Sequence, residues 1–563
     1  MRPKRNQDIF RAAMRASAFS LMLVQGNSFA EDAPTYRRFA DASRDLAARV
    51  AGSGGAAKSG VIGKSSEGRD LLLITIGTGE RLETRPALLV VAGVEGDGIA
   101  GCEMAAAFAT ELMAATDERT RKLLAERTVY VIARLNPDGV ERCFDAVKQQ
   151  TTGAAAKWDE DKDGADDEDG SDDLDGDGMI LMMRVEDAAG EWVADEKDAG
   201  FMRKPDAVRG EHGAWRLLAE GKDDDGDGAW NEDGAGGVDL NSNFPWNYRF
   251  HSSRAGVYQL CEVESRALAE FVAAHPNIEA AFTFASNDNL IRQVAPVPPP
   301  HPLPEPASPV MALDAGDVLP LANLAENYRA KFGRERRDPV GLREGGVAEW
   351  LYFHWGILSL GGPGWSVPWK AAADLKGLAH EDGPGREARW AFRWMRENRA
   401  GEWVEWHAVQ HPDFPGKKVE IGGWKPYSTI LPPAGELEAL SAKHGAFLRD
   451  VLDAFPRIAV KGLAAKKLDA ALWEITATVA NEGALPTALR QGVRTHRARA
   501  VRVDFVSDKG TLTAGDKVTL VPTLAAGAVK EMKWVVHAAE GSEVEIKAET
   551  DRAGISSARL LLK

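Results

Sequence analysis

The sequence is poor in the features that define several protein classes. It has three cysteines, Cys102, Cys143 and Cys261. So few thiols in an odd number exclude a disulfide-held scaffold; at most one bridge can form, and isolated buried thiols are the simpler reading. No run of eighteen apolar residues occurs, which excludes a helical membrane span in the mature chain. There is no basic surplus either. The formal net charge is −16, and a basic nucleic-acid surface is excluded with it.

What is present suits a large soluble protein. The chain has 563 residues, 44 % hydrophobic and 27 % charged, enough for two or three domains. The negative charge is concentrated. Residues 158–177 hold twelve acids and one lysine, and residues 223–233 hold six acids and no base. These two segments carry a net −17, leaving the rest of the chain at +1. At the N-terminus, Arg2, Lys4, Arg5, Arg11 and Arg15 surround or precede a short apolar run over 16–24. Ser28-Phe29-Ala30 then places small residues before Glu31. This pattern predicts an export signal over 1–30 and a periplasmic or extracellular protein.

Hydrophobic periodicity predicts strands over 70–76, 87–92, 128–133 and 278–284, with helices over 103–115 and 262–274. Apolar strands separated by helices predict an α/β domain with a parallel or mixed sheet covered on both faces. It spans 31–455 and closes on a helix over 435–454. Residues 296–309 contain eight prolines and read as a polyproline connector. From 456 to 563 the pattern becomes alternating strands (472–479, 500–505, 517–521, 544–548) without a helix, which predicts an all-β sandwich.

The acidic segments repeat one spacing. Asp159-x-Asp161-x-Asp163-Gly164 ends in Glu168-Asp169. Asp173-x-Asp175-x-Asp177-Gly178 has no closing acid of its own. Asp223-x-Asp225-x-Asp227-Gly228 ends in Glu232-Asp233. Acids at positions 1, 3 and 5 converge when a glycine at position 6 turns the chain, and an acid near position 12 completes an oxygen cage for Ca²⁺. Two to three structural Ca²⁺ ions are expected in an insertion at about 155–235. Asp166, Asp167 and Asp172 are the candidates to close the middle loop. A merely solvated acidic run would not need a glycine at one fixed offset.

Further motifs appear in a fixed order: Ile62 to Asp70, Asn136-Pro137-Asp138-Gly139, Asp239-Leu240-Asn241, Glu349-Trp350-Leu351-Tyr352, Trp365-Ser366-Val367-Pro368, and His411-Pro412 through Gly423. In these the chain resembles the zinc carboxypeptidases, carboxypeptidase A/B-like metallopeptidases, and a bacterial subgroup with Asp-rich insertions. The resemblance implies a mixed eight-stranded sheet with helices on both faces. It also implies Zn²⁺ held by an HxxE pair and a distant histidine, a glutamate general base, and an arginine gripping the substrate carboxylate.

Position by position, those groups are missing. Glu95 stands at the first histidine, Gly98 at the ligand glutamate, Ala285 at the second histidine, Ser242 at the arginine and Pro363 at the general base. The tyrosine of the substrate loop falls near Gly341. Glycine and alanine offer no donor atom, and one carboxylate is a poor zinc site. The expectation is therefore a carboxypeptidase fold without Zn²⁺ or peptidase chemistry, binding a peptide or a cell-wall or glycan ligand. Glu95, Asp97, Asn241, Asn243, Asn287, Asp288 and Asn289 are expected to gather in the cleft, as ligand contacts or as polar filling. The alternatives are an active metallocarboxypeptidase with atypical zinc ligands and a structural surface protein stiffened by Ca²⁺. His407 and His411 lie four apart, but Pro412 opposes the helix that would pair them, and His354 is read as packing.

Overall fold

Ala87–Ala92 is a run of six apolar residues, every one buried. Such a run suits a strand covered on both faces, and it lies near the middle of the main sheet. The computed structural model describes residues 36–563 except 160–163, 199, 229, 232–233, 235–236, 295–311, 335, 368–385 and 434. The export signal and the polyproline connector therefore lie outside the described residues. The sheet order is Ala57–Lys64, Asp70–Ile76, Thr128–Ile132, Ala87–Ala92, Ile278–Phe284, Leu358–Gly362. The first two joints are antiparallel and the other three parallel.

The pairing register assigns the faces. Tyr130 pairs with Leu89 and Leu89 with Ala281, so these share one face; Val131, Val90 and Phe282 share the other. Tyr130 meets Phe271 of helix Val263–Ala274 edge-on at 5.3 Å, whereas Phe282 meets Phe447 of helix Leu437–Ala454 at 6.1 Å. Helices thus cover both sides. Helix Ile99–Met113 comes so close to the sheet that a Cβ on Gly101 would stand 2.6 Å from Phe284 Cβ.

Among the described residues the main sheet has six strands rather than the expected eight. Asn289 is the physical reason. Its amide N–H donates to Gly361 O (3.2 Å), its Oδ1 accepts from Gly361 N (3.0 Å) and its Nδ2 donates to Ser359 O (2.9 Å). One side chain and its own peptide thereby occupy the outer edge of Leu358–Gly362. The following chain pairs elsewhere, as a two-stranded parallel ribbon of Arg292–Val294 with Arg337–Val340.

The acidic insertion joins a second sheet, ordered Trp403–Val409, Val419–Trp424, Met182–Glu186, Trp215–Ala219. Leu181, Met183, Val185, Phe414, Val419 and Ile421 form its own small core. C-terminal to Pro456, two four-stranded antiparallel sheets share one core that includes Trp473, Ile475, Val503, Phe505, Trp534 and Ile546. A short helix, Arg490–Arg494, interrupts the strands where none was expected. Its start is set by the neighbouring domain: Asp317 accepts from Arg490 N (2.7 Å), Gln491 N (3.0 Å) and the Tyr352 hydroxyl (3.0 Å). Arg552 is buried beside it and donates to Gly356 O (2.6 Å) and Trp355 O (3.0 Å).

Asp317→Ala would leave two amide N–H groups without their acceptor at this junction. A loss of about 2–4 kcal/mol is expected in chemical denaturation; a change below about 0.5 kcal/mol would show that the junction does not depend on this carboxylate.

Candidate functional site

The candidate site lies at the C-terminal ends of Ala87–Ala92 and Ile278–Phe284, where α/β sheets commonly place their sites. Gly93 leaves the first strand at φ 59°, where a Cβ would collide with Cys102 Sγ at 2.6 Å. The turn it opens carries Glu95 and Asp97 and closes with Gly98 N donating to Glu95 O at 3.0 Å. The second strand ends at Phe284 and is followed by Ala285 and Ser286. Asp239 Oδ1 caps the turn Leu240–Ser242 by accepting from Asn241 N at 2.8 Å.

Glu95 is 4 % exposed, and both its carboxylate oxygens are engaged. Oε1 accepts from Asn241 Nδ2 (3.0 Å) and the Ser286 hydroxyl; Oε2 accepts from Ser286 N (2.7 Å). Asn241 Oδ1 accepts from Val347 N at 3.1 Å, which ties the Asp-Leu-Asn turn to helix Val347–Trp355. Arg343, in the loop before that helix, lies 3.4 Å from Glu95 Oε1 and 2.6 Å from Asp239 Oδ2. Asp97 Oδ2 accepts from Gln150 Nε2 at 2.9 Å. Burial, then the charge of Glu95, pushes the Asp97 carboxyl up to about 7; burial and Glu95 push Asp239 up to about 6 against the pull of Arg343.

Of the polar residues expected here, Glu95, Asp97 and Asn241 come together. Asn243 instead serves the fold, donating to Ala255 O (2.8 Å) and accepting from the Ser265 hydroxyl (2.6 Å). Asp288 accepts from Leu290 N and Ile291 N, and Asn289 guards the sheet edge. Asn287 follows Ser286, and its Oδ1 is buried without a partner among the described residues. Gly98, Ala285 and Pro363 offer no side-chain donor, and Ser242 Oγ accepts from Arg343 at 3.4 Å. Arg343 went unread in the sequence. Its one signal is that it is the only Lys or Arg between Val340 and Trp355.

The acidic loops are arranged as a pair. One carboxylate oxygen from each of Asp173, Asp175 and Asp177 lies within 4.8 Å of the others, and Asp223, Asp225 and Asp227 do the same. Asp161, Asp163 and Asp233 lie outside the described residues; Asp159 Oδ2 accepts from Gly164 N at 3.1 Å. Buried Asp169, expected to close the first loop, accepts from Asp224 N (3.1 Å) and Asn231 N (2.7 Å) in the third. Buried Glu220, unread in the sequence, accepts from Leu174 N (2.8 Å) and Leu181 N (3.0 Å) around the second. The acid ahead of each loop thus braces the other at equivalent positions. Asp172 pairs with Lys222 at 2.9 Å. His407 lies on the extended Trp403–Val409 strand and reaches Asp175 Oδ2 at 2.9 Å, whereas buried His411 contacts Gly221 O at 2.8 Å; they do not form one site.

These features define an α/β protein with a buried polar cluster at the head of its main sheet, and comparison supplies its family. The family model described as zinc carboxypeptidase matches residues 53–357, and the chain belongs to that family. Residues 457–560 match a domain of unknown function (DUF8731). No curated protein matches. Among solved structures, bovine thrombin-activatable fibrinolysis inhibitor in complex with tick carboxypeptidase inhibitor is 11 % identical, covering 74 % of this chain and 96 % of that one, with a TM-score of 0.38. Carboxypeptidase A from Helicoverpa armigera is 12 % identical over 63 % and 70 % (TM-score 0.37), and a metallo-carboxypeptidase from Burkholderia cenocepacia 13 % over 56 % and 58 % (TM-score 0.29). Likenesses this low add nothing to the family assignment.

The family implies a zinc ion, and the residues present do not fit one. Where the resemblance places the three ligands, Gly98 and Ala285 have no donor, and Glu95 spends both carboxylate oxygens on internal hydrogen bonds.

A raised carboxyl pKa means that the folded state binds the proton more tightly. The Asp97 contribution to stability is therefore full below about pH 4 and lost as pH rises through about 7. Asp97→Asn should gain on the native chain as pH rises from about 4 to about 7, by at most about 1.4 kcal/mol per pH unit in denaturant titrations. Parallel pH profiles would contradict this.

Proposed function

We propose that this chain is a catalytically degenerate zinc carboxypeptidase: an exported protein whose cleft binds a peptide or a cell-wall or glycan ligand without hydrolysing it. The observation that carries the reading is the state of Glu95. A residue at a metal-ligand position is buried and saturated by Asn241, Ser286 and Arg343, while positions 98, 285 and 363 present no donor. Without an ion to polarise a carbonyl or a carboxylate to activate water, the interactions that supply most of the rate in such chemistry are missing. Asn287 Oδ1 and Asp97 are the polar groups by which the cleft would recognise a ligand.

Calcium belongs to the same proposal. The Asp173 and Asp223 loops would each hold one Ca²⁺, with the Asp159 segment as the third candidate. Three convergent carboxylates per loop repel one another until a cation joins them. The ions would hold the insertion in place beside the cleft, with Asp169 and Glu220 fixing the loop backbones rather than acting as ligands.

Elemental analysis of the purified protein, counting Ca and Zn separately, tests both parts. Two to three Ca and no Zn per chain are expected, with a melting temperature several degrees lower in EGTA and no peptidase activity. One tightly held Zn per chain with chelator-sensitive turnover would overturn the degenerate reading, and an EGTA-insensitive melt would overturn the calcium.

A further inference from the structure

The guanidinium of Arg343 has five N–H donors, and five oxygen acceptors lie within 3.4 Å of it. Nε meets Asn241 O at 2.7 Å. Nη1 meets Ser286 Oγ at 2.8 Å and Glu95 Oε1 at 3.4 Å. Nη2 meets Asp239 Oδ2 at 2.6 Å and Ser242 Oγ at 3.4 Å. The acceptors come from three separate segments: the turn after Ala87–Ala92, the Asp-Leu-Asn turn, and the end of Ile278–Phe284. Two of these carry positions 95 and 285, where the family places metal ligands.

We infer that Arg343 is a resident counter-cation standing in for the metal ion. It neutralises Glu95 and Asp239 and ties together the loops around the vacated site. The inference rests on the reading that this chain holds no zinc. A guanidinium suits the task because it stays charged at any working pH and offers its donors in a rigid plane. A second role, as a grip for a substrate carboxylate displaced from position 242, is the weaker reading, because each of the three guanidinium nitrogens already donates to an oxygen of the protein. Arg343 is held in place as well: Glu349 Oε1 accepts from its main-chain N–H at 3.0 Å, so the loop cannot swing without breaking a buried contact.

A double-mutant cycle read by thermal melting tests the inference in the full-length chain. Arg343→Met would leave two buried carboxylates without their cation and should lower the melting temperature by about 5 °C or more. Adding Glu95→Gln to that variant should recover at least half of the loss, because the uncompensated charge is then gone. Should R343M alone not accumulate as folded protein, recovery of folded protein in the R343M/E95Q double variant carries the test, and a double variant that fails to accumulate while E95Q alone folds would overturn the inference. Additive losses would overturn the inference. Zinc content of the native chain separates the two levels. Additive losses without zinc sink only the role of Arg343, whereas stoichiometric zinc sinks the degenerate reading on which it rests.

Discussion

Burying a carboxylate at the head of a sheet is costly unless something nearby replaces the water it loses. Glu95 is the clearest instance in this molecule. Its partners come from residues 241, 286 and 343, so three separate segments are drawn together by the needs of one side chain. The same side chain raises the proton affinity of Asp97 and Asp239. Burial is the larger cause of both shifts, and the charge of Glu95 adds to it.

The fold was legible where burial is uniform. The runs 87–92 and 278–284 correspond to strands with the predicted limits, because an all-apolar hexamer or heptamer between turn residues has few other homes. The division of the sheet was not legible. Whether a chain pairs with Leu358–Gly362 or bends away depends on Asn289, a polar residue whose role is decided by what lies beside it in space. The helix Arg490–Arg494 escaped for the same reason, since its first amides are capped by Asp317, far away in sequence.

The site divides in the same way. Missing donors at positions 98, 285 and 363 can be seen residue by residue. Arg343 could not, because one arginine in a glycine-rich loop looks like any solvated charge until the loop folds over residue 95. In the acidic insertion the one-three-five spacing identified the loops. It did not reveal the hydrogen bonds from Asp169 to the third loop, since the spacing rule is local and the brace crosses from one loop to another.

That crossing has a consequence for how the insertion can change. Asp169 lies just before one loop and fastens the other, and Glu220 does the reverse. The two segments are therefore laced like a pair of clasped hands. A deletion that removed either would strip its neighbour of an anchor, so they can be gained or discarded only as a unit.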